Sequence, residues 1–300
     1  MIHFSRRPPT VSVIMPVYNG GKYLAEAIRS ILNQIFIDFE FIIIDDGSTD
    51  QTNDVIHSTK DKRIIAIKNE TNMGNYPSRN LGMSLARGKY ICVMDADDIS
   101  LPRRLEMQYA YMEKNPETGI CGSFIQVIPS GFCPRYVTDE KLLRVVFLSN
   151  NFCSHPSLIL RKEFLNRNQL MYNLVYQYSA DYDLCSRGFR YFKVQNIPVI
   201  LLQYRHHEEQ ISTAKYKEQQ MYADQIRINQ LVDFLKFKTE QIPISLHLSF
   251  MKNEPINLEF KEPLRNWIET IITKNRVVKY YDENTLQDYM RSLLNHARFG

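Results

Sequence analysis

Val11-Ser12-Val13-Ile14-Met15-Pro16-Val17-Tyr18-Asn19-Gly20-Gly21 is the stretch on which the fold turns. A β-rich run ends at Pro16, a turn follows at Asn19-Gly20-Gly21, and apolar residues then recur at Leu24, Ala27, Ile28, Ile31 and Leu32. That change of spacing marks a strand passing into an amphipathic helix. Phe39 to Ile44 is the next strand, nearly all apolar, as a parallel strand covered on both faces must be. Asp46-Gly47-Ser48 closes it, and Ser48 or Thr49 is expected to cap a helix through about Ser58. Ile64 to Ile67 is a third strand, followed by Asn72-Met73-Gly74-Asn75 and a helix near Ser78 to Ala86. Repeated β-α units predict an α/β chain with a mostly parallel, doubly wound sheet whose ligands bind beyond the carboxyl ends of its strands.

The fourth strand, Ile91-Cys92-Val93-Met94, runs straight into Asp95-Ala96-Asp97-Asp98. Three carboxylates within four positions repel one another and raise their own proton affinity unless a cation offsets them. Hard oxygen ligands suit Mg²⁺ or Mn²⁺, and an ion held this way commonly serves a phosphate. The plainer alternative is an Asp-rich turn in which Asp98 caps the next helix.

The 300 residues suffice for one large domain, or a domain with an appendage. A net charge of +4 is too small to argue for nucleic acid. The five cysteines are odd in number and contain no C-x-x-C pair, which argues against a disulfide framework or a structural zinc and for a compartment that keeps thiols reduced. Arg6 and Arg7 are followed by no apolar signal-peptide core, and no apolar run has membrane length. Membrane contact, if any, is expected to be peripheral.

The first turn lacks the G-x-G-x-x-G of a dinucleotide fold, and no G-x-x-x-x-G-K-[ST] phosphate loop occurs. The strand ends offer instead an aromatic, Tyr18, a carboxylate pair, Asp45 and Asp46, an arginine, Arg79, and the acidic triplet. Tyr18 can lie against a base, a carboxylate can accept from a pyrimidine N3–H, Arg79 can face phosphate, and the triplet can hold a bridging metal. Together they describe a nucleotide diphosphate site. For Arg79 the alternative is a solvent-facing helix cation.

Val11 to Asn19, Ile44-Asp45-Asp46-Gly47-Ser48-Thr49-Asp50, Asn72-Met73-Gly74, Arg79-Asn80-Leu81-Gly82 and Gly88-Lys89-Tyr90 leading into Asp95-Ala96-Asp97-Asp98 resemble, in order and spacing, the signature of family 2 glycosyltransferases. The resemblance implies an inverting, nucleotide-sugar-dependent transferase of the A-type fold. It places the donor on Pro16, Tyr18, Asn19, Asp45, Asp46, Arg79, Asp95, Ala96 and Asp97, with Asp95 and Asp97 on the metal and Asp98 beside them on the acceptor side. Ser179-Ala180-Asp181-Tyr182-Asp183-Leu184 resembles the family's Glu-Asp motif, with Ala180 where the glutamate usually stands and Asp181 at the catalytic base. Asp183 is the alternative base, and both acids also suit a helix N-terminus.

Cys153-Ser154-His155-Pro156-Ser157 resembles a stretch lining the acceptor side, which implicates His155. Tyr204-Arg205-His206-His207-Glu208-Glu209-Gln210-Ile211-Ser212 resembles the family's Y-R-x-H-x-x-Q-x-S segment, which puts His207 near the metal or diphosphate. His57, His247 and His296 read as structural. Beyond Ser212 helical spacing dominates. Trp267, Ile268, Ile271, Ile272 and Tyr280-Tyr281 are expected to pack against the catalytic domain, a membrane surface or a partner being the alternatives.

These observations predict a catalytic domain over 1–212, with a donor half near 9–100 and an acceptor half near 101–212, and a helical extension over 213–300. The layout is similar to bacterial transferases that extend lipooligosaccharide or capsule chains, β-1,3-N-acetylglucosaminyltransferases among them. That implies a cytoplasmic enzyme, peripheral to the inner face of the plasma membrane, moving a sugar from a UDP-sugar to a surface glycan or glycolipid with Mn²⁺ or Mg²⁺. Two rivals remain open: a binding subunit with a decayed acceptor site, suggested by Ala180, and a sugar-1-phosphate nucleotidyltransferase.

Overall fold

The computed structural model describes residues 7–134, 136–208 and 210–300, and these form two compact units. Arg6 and Glu209, each part of a segment quoted above, lie outside the described residues. The first unit comprises residues up to Tyr136 together with Cys153–Ala214; the second comprises Val137–Phe152 and Lys215–Gly300. Val137–Phe152 thus belongs with the later helices.

The first unit is built on an eight-stranded sheet: β1 (Val11–Val17), β2 (Phe39–Asp45), β3 (Ile64–Lys68), β4 (Tyr90–Val93), β5 (Ile99–Ser100), β6 (Thr118–Ile128), β7 (Ile159–Arg161) and β8 (Lys193–Arg205), in the order β3-β2-β1-β4-β7-β6-β8-β5. The four strands β3-β2-β1-β4 are parallel. The other half is mixed: β7 is antiparallel to β4 and β6, β8 is parallel to β6, and β5 is antiparallel to β8.

The pleat assigns faces. Val11, Val13 and Met15 join Leu24, Ala27, Ile28 and Ile31 of the helix Leu24–Leu32 in one core cluster, whereas Ile14 and Ile44 lie against the helix Asn75–Leu85. Each large side chain buried this way contributes roughly 1.5–3 kcal/mol. β1 does not stop at Pro16 but continues to Val17, with Pro16 opposite Ile44. Val17 accepts from Asp46 on the β2 side, so Pro16 faces the β4 side, where strand pairing has ended at Ile14 opposite Val93. A missing N–H is tolerated there. The helix after β2 begins at Thr52, later than expected, and its first turn is met by Asp50 Oδ1 accepting from Thr52 N at 3.0 Å rather than by Ser48 or Thr49.

Asp45 ends β2 opposite Val17 and Lys68, and Met94 and Asp95 follow β4 directly. The parallel half therefore delivers Tyr18, Asp45, Asp46 and the acidic triplet to one edge of the sheet.

The second unit is helical: Glu140–Val146, Tyr216–Leu235, Ile244–Met251, Lys261–Val278 and Glu283–His296. Trp267, Ile268, Ile271, Ile272 and Tyr281 are buried in its own core with Val145, Leu148, Leu231, Leu264, Leu286 and Met290. Trp267 Nε1 donates to His247 Nδ1 at 3.2 Å. Among the described residues no helix is long and apolar enough to cross a membrane.

Candidate active site

The acidic triplet converges. Carboxylate oxygens of Asp95, Asp97 and Asp98 lie within 4.8 Å of one another. Arg79, only 1 % exposed, pairs through Nη2 with Asp95 Oδ1 and points Nη1 at the Met94 carbonyl at 3.4 Å. It is therefore neither a solvent-facing cation nor open to solvent as a ready phosphate ligand. His207 Nε2 lies 2.9 Å from Asp97 Oδ2 and its ring packs 5.3 Å from Tyr23.

Asp98 is 1 % exposed; its Oδ1 accepts the Arg205 backbone N–H at 2.8 Å, and its Oδ2 is buried without a hydrogen-bond partner among the described residues. The next helix starts only at Arg104, so Asp98 is not its cap. Its carboxylate lies with those of Asp95 and Asp97. Arg205, which the sequence did not single out, ties the group together: Nε donates to the Asp97 carbonyl at 2.8 Å, Nη2 pairs with Glu26 at 2.6 Å, and the guanidinium sits 4.6 Å above the Tyr23 ring.

Burial pushes the Asp95 carboxyl up; Arg79 opposes this and Asp97 adds to it. Asp98 is pushed well above the carboxylate range by burial and then by the charges of Asp95 and Asp97. Like charges in a low-dielectric corner favour protonation unless a cation joins them. An orphaned buried carboxylate oxygen beside two more carboxylates is the donor set a hard divalent ion takes. The residues present fit such an ion.

The Asp45–Asp46 pair divides its labour. Asp46 Oδ1 accepts from Asn69 Nδ2 at 2.7 Å, Ser78 Oγ at 2.8 Å and the Met73 N–H at 3.1 Å, and its Oδ2 accepts from the Gly74 N–H at 2.8 Å. All this fixes the Asn72-Met73-Gly74 loop, and among the described residues Oδ2 accepts only the Gly74 N–H. Asp45 Oδ1 accepts from Ser48 N at 2.9 Å, while the buried Oδ2 has no hydrogen bond among the described residues and lies 3.9 Å from Lys68 Nζ. Gly47, directly after the pair, sits at φ 76°, and a Cβ there would meet the Thr71 carbonyl carbon at 2.7 Å, so glycine alone fits.

Tyr18 is 49 % exposed beside this pair. Asn19, at φ 48°, accepts from Thr49 N through Oδ1 at 2.9 Å and donates its own N–H to Ser48 Oγ at 2.9 Å. It clasps the turn rather than presenting its amide to a ligand. Pro16 lies within β1, and Ala96, between Asp95 and Asp97, packs back onto the apolar core.

Asp181 stands in the first turn of the helix Ala180–Gly188, and its Oδ1 accepts from Tyr76 Oη at 2.7 Å across 105 residues of sequence. Ala180 beside it is fully buried. Asp183 Oδ2 accepts from Arg187 Nε at 2.8 Å and pairs with Nη2 at 2.6 Å, so the alternative base is engaged as an ion pair within its own helix. His155 Nε2 is 2.8 Å from Tyr172 Oη, and burial followed by the Arg79 charge pulls its pKa well down, leaving a neutral imidazole. Its ring is edge-on to Tyr76 and Tyr172.

The family model for glycosyl transferase family 2 matches residues 12–174, more than half of the chain. The chain belongs to glycosyl transferase family 2. It is 38 % identical over 225 residues to an uncharacterized glycosyltransferase of Methanocaldococcus jannaschii, covering 72 % of this chain and 77 % of that protein. It is 28 % identical over 210 residues to the Escherichia coli UDP-Glc:α-D-GlcNAc-diphosphoundecaprenol β-1,3-glucosyltransferase WfgD, covering 69 % and 81 %. Among solved structures, S. aureus TarS 1-349 in complex with UDP-GlcNAc superposes with a TM-score of 0.61 at 19 % identity, over 96 % of this chain and 89 % of that one. This family 2 glycosyltransferase thus has the A-type fold with a helical C-terminal region.

Tyr76, Ser78, Asn80, Asn69, Tyr172 and Arg205 are the site residues that sequence reasoning passed over. Only Arg205 and Asn80 lie in quoted blocks; the partners of Tyr76 and Tyr172 are remote in sequence, and no local pattern announces them.

Proposed function

We propose that this glycosyltransferase transfers a sugar from a UDP-sugar, with inversion and divalent-metal dependence, onto a lipid-linked or surface glycan. The observation that carries the proposal is the convergence of Asp95, Asp97 and Asp98 with an orphaned buried oxygen at the sheet edge that also bears Asp45 and Tyr18. Asp95, Asp97 and Asp98 would hold the ion, with His207 against Asp97. Such an ion supplies Lewis-acid neutralisation of the departing diphosphate.

The protein's own residues do the rest. Tyr18 lies along the uracil and a carboxylate of the Asp45–Asp46 pair accepts its N3–H, the one ring donor uracil offers. Arg79 orients Asp95. Asp181 takes the proton of the acceptor hydroxyl as its oxygen bonds to the anomeric carbon and the bond to UDP breaks, a single displacement that inverts the centre. A UDP-sugar donor is favoured by the glucosyltransferase relative, whose name specifies UDP-Glc, and by the UDP-GlcNAc held in the TarS crystal. A diphosphoundecaprenol acceptor, as in that relative's name, would bring the enzyme to the cytoplasmic membrane surface as a peripheral visitor.

The test is UDP release from UDP-glucose, UDP-N-acetylglucosamine and UDP-galactose with Mn²⁺ or Mg²⁺, with and without EDTA, and with GlcNAc-diphosphoundecaprenol as acceptor. Release from one donor, abolished by EDTA and by Asp97→Ala and reduced about 10²–10⁴-fold by Asp181→Asn with UDP binding kept, is the expected result. UDP binding without turnover of any donor would mean a decayed site. Turnover indifferent to EDTA would remove the metal from the proposal.

A further inference from the structure

We infer that Tyr76 is the positioning residue for the base: its hydroxyl fixes the Asp181 carboxylate, and the helix Asn75–Leu85 thereby sets base and donor site from one rigid element. The inference rests on the assignment of Asp181 proposed above. Tyr76 Oη donates to Asp181 Oδ1 at 2.7 Å, and the tyrosine side chain is buried. Its ring stacks on Tyr172 at 5.1 Å and 27° and meets His155 edge-on at 6.1 Å. A phenol locked on two sides by rings has little freedom to follow a wandering carboxylate, so the carboxylate must come to it.

The neighbours on the same helix make the arrangement specific. One turn along, Asn80 Nδ2 donates to the Tyr172 carbonyl at 2.9 Å and Asn80 Oδ1 accepts the Tyr172 N–H at 3.0 Å, a reciprocal clamp on the segment that leads into Asp181. Tyr76 and Asn80 stand at i and i+4, hence on one face. Ser78 bonds Asp46 and Arg79 pairs with Asp95. A single 11-residue helix thus holds the turn beside the nucleotide pocket, the metal-side carboxylate and the base in one frame. Ala180, which brings no polar group to the carboxylate next to it, leaves this orientation to a partner from elsewhere in the fold.

A hydrogen bond donated to a carboxylate favours its charged form, so its loss should raise the pKa of the base as well as loosen it. Groups within electrostatic reach of Asp181 include Asp95 from the end of β4, Tyr172 from the clamped segment and Cys185 one turn along its own helix. None of these is altered by changing Tyr76.

The experiment is steady-state UDP release from whichever donor of the above panel turns over, with water as acceptor, for the full chain and for Tyr76→Phe, over pH 5 to 9. Tyr76→Phe is expected to lower kcat about tenfold, leave donor KM and UDP affinity within about twofold, and move the acid limb of the profile to higher pH. Replacing Tyr76 by 3-fluorotyrosine, a stronger hydrogen-bond donor of nearly the same shape, should move that limb the other way. Parental kcat and an unmoved limb in both variants would overturn the inference, as would a parallel loss of kcat, UDP affinity and thermal stability. Asp181→Asn in the same assay separates the two layers: if it turns over like the parent, the base assignment has failed; if it is inactive while Tyr76→Phe is parental, only the role of Tyr76 has failed.

Discussion

At the scale of single residues, neighbours of the same type do opposite work. Asp45 and Asp46 are adjacent and both buried, yet one leaves an oxygen without a hydrogen bond among the described residues and the other accepts four hydrogen bonds. Asp46→Ala would strand those donors in a buried place and should cost about 2–4 kcal/mol of stability by thermal or denaturant unfolding. Asp45→Asn keeps the Ser48 bond but turns an acceptor into a donor at the pocket; it should leave the melting temperature within about 2 °C and weaken UDP binding about tenfold by calorimetry. Equal destabilisation by the two changes would contradict the division.

Asp98 supplies a second test. Its pKa is raised in the folded chain, by burial first and by Asp95 and Asp97 next. The folded form therefore binds more protons than the unfolded one, and the stability Asp98 contributes, full below the unfolded value of 3.8, is lost as pH rises through the folded value. Without metal, Asp98→Asn should stabilise the protein at pH 7.5 by about 1 kcal/mol while abolishing the Mn²⁺-induced rise in melting temperature. In the parent that rise should grow with pH, because the ion competes with protons for the same oxygens. A rise that is flat with pH, or one that Asp98→Asn retains, would place the ion elsewhere.

At the scale of elements, what could be read from sequence follows from what local patterns record. β1, β2 and β4 are apolar runs between turn residues because both faces are covered, the edge strand β3 is half-buried, and the carboxyl ends carry the polar clusters, so the parallel half and the acidic edge were legible. β8 was not, since Pro198 interrupts it; pairing with β6 skips from Ile197 to Ile200 and the proline falls in that irregularity. Asp181 was legible as the candidate for the base, but its partner was not, because nothing near Tyr76 in sequence registers a bond to a residue 105 positions away. The helix Asn75–Leu85 is where these limits meet. Gly82 lets it approach the sheet: a Cβ would lie 2.5 Å from Ile14 Cγ2 and 3.0 Å from Ile44 Cδ1. Gly82→Ala should cost about 1–3 kcal/mol by overpacking, and, because the displaced helix carries Tyr76, Arg79 and Asn80, should lower kcat well beyond what the unfolded fraction explains. Parental melting and turnover would mean that the helix has room to slide.

At the scale of the whole molecule, the chain passes between its two units three times, at 136–137, 152–153 and 214–215. The middle excursion gives the second unit the helix Glu140–Val146 and, from it and the residue turns that follow, Val145 and Leu148, which are fully buried in a core shared with Leu231, Leu235, Trp267 and Ile271. Polar bonds bind the same excursion to the later helices: Gln230 Nε2 donates to the Phe147 carbonyl at 2.8 Å, Arg227 Nε to the Ser149 carbonyl at 2.6 Å, and Lys141 pairs with Asp282 at 2.8 Å. Cutting the chain after Ala214, the natural choice if the helices were a simple appendage, would expose those apolar side chains at about 1.5–3 kcal/mol each and leave the Phe147 and Ser149 carbonyls without their partners. The 1–214 chain is therefore expected to aggregate or to melt well below the full chain in a thermal scan. Equal melting and monomeric elution of the two would instead show that Val137–Phe152 folds without the later helices, and that the second unit stabilises only itself.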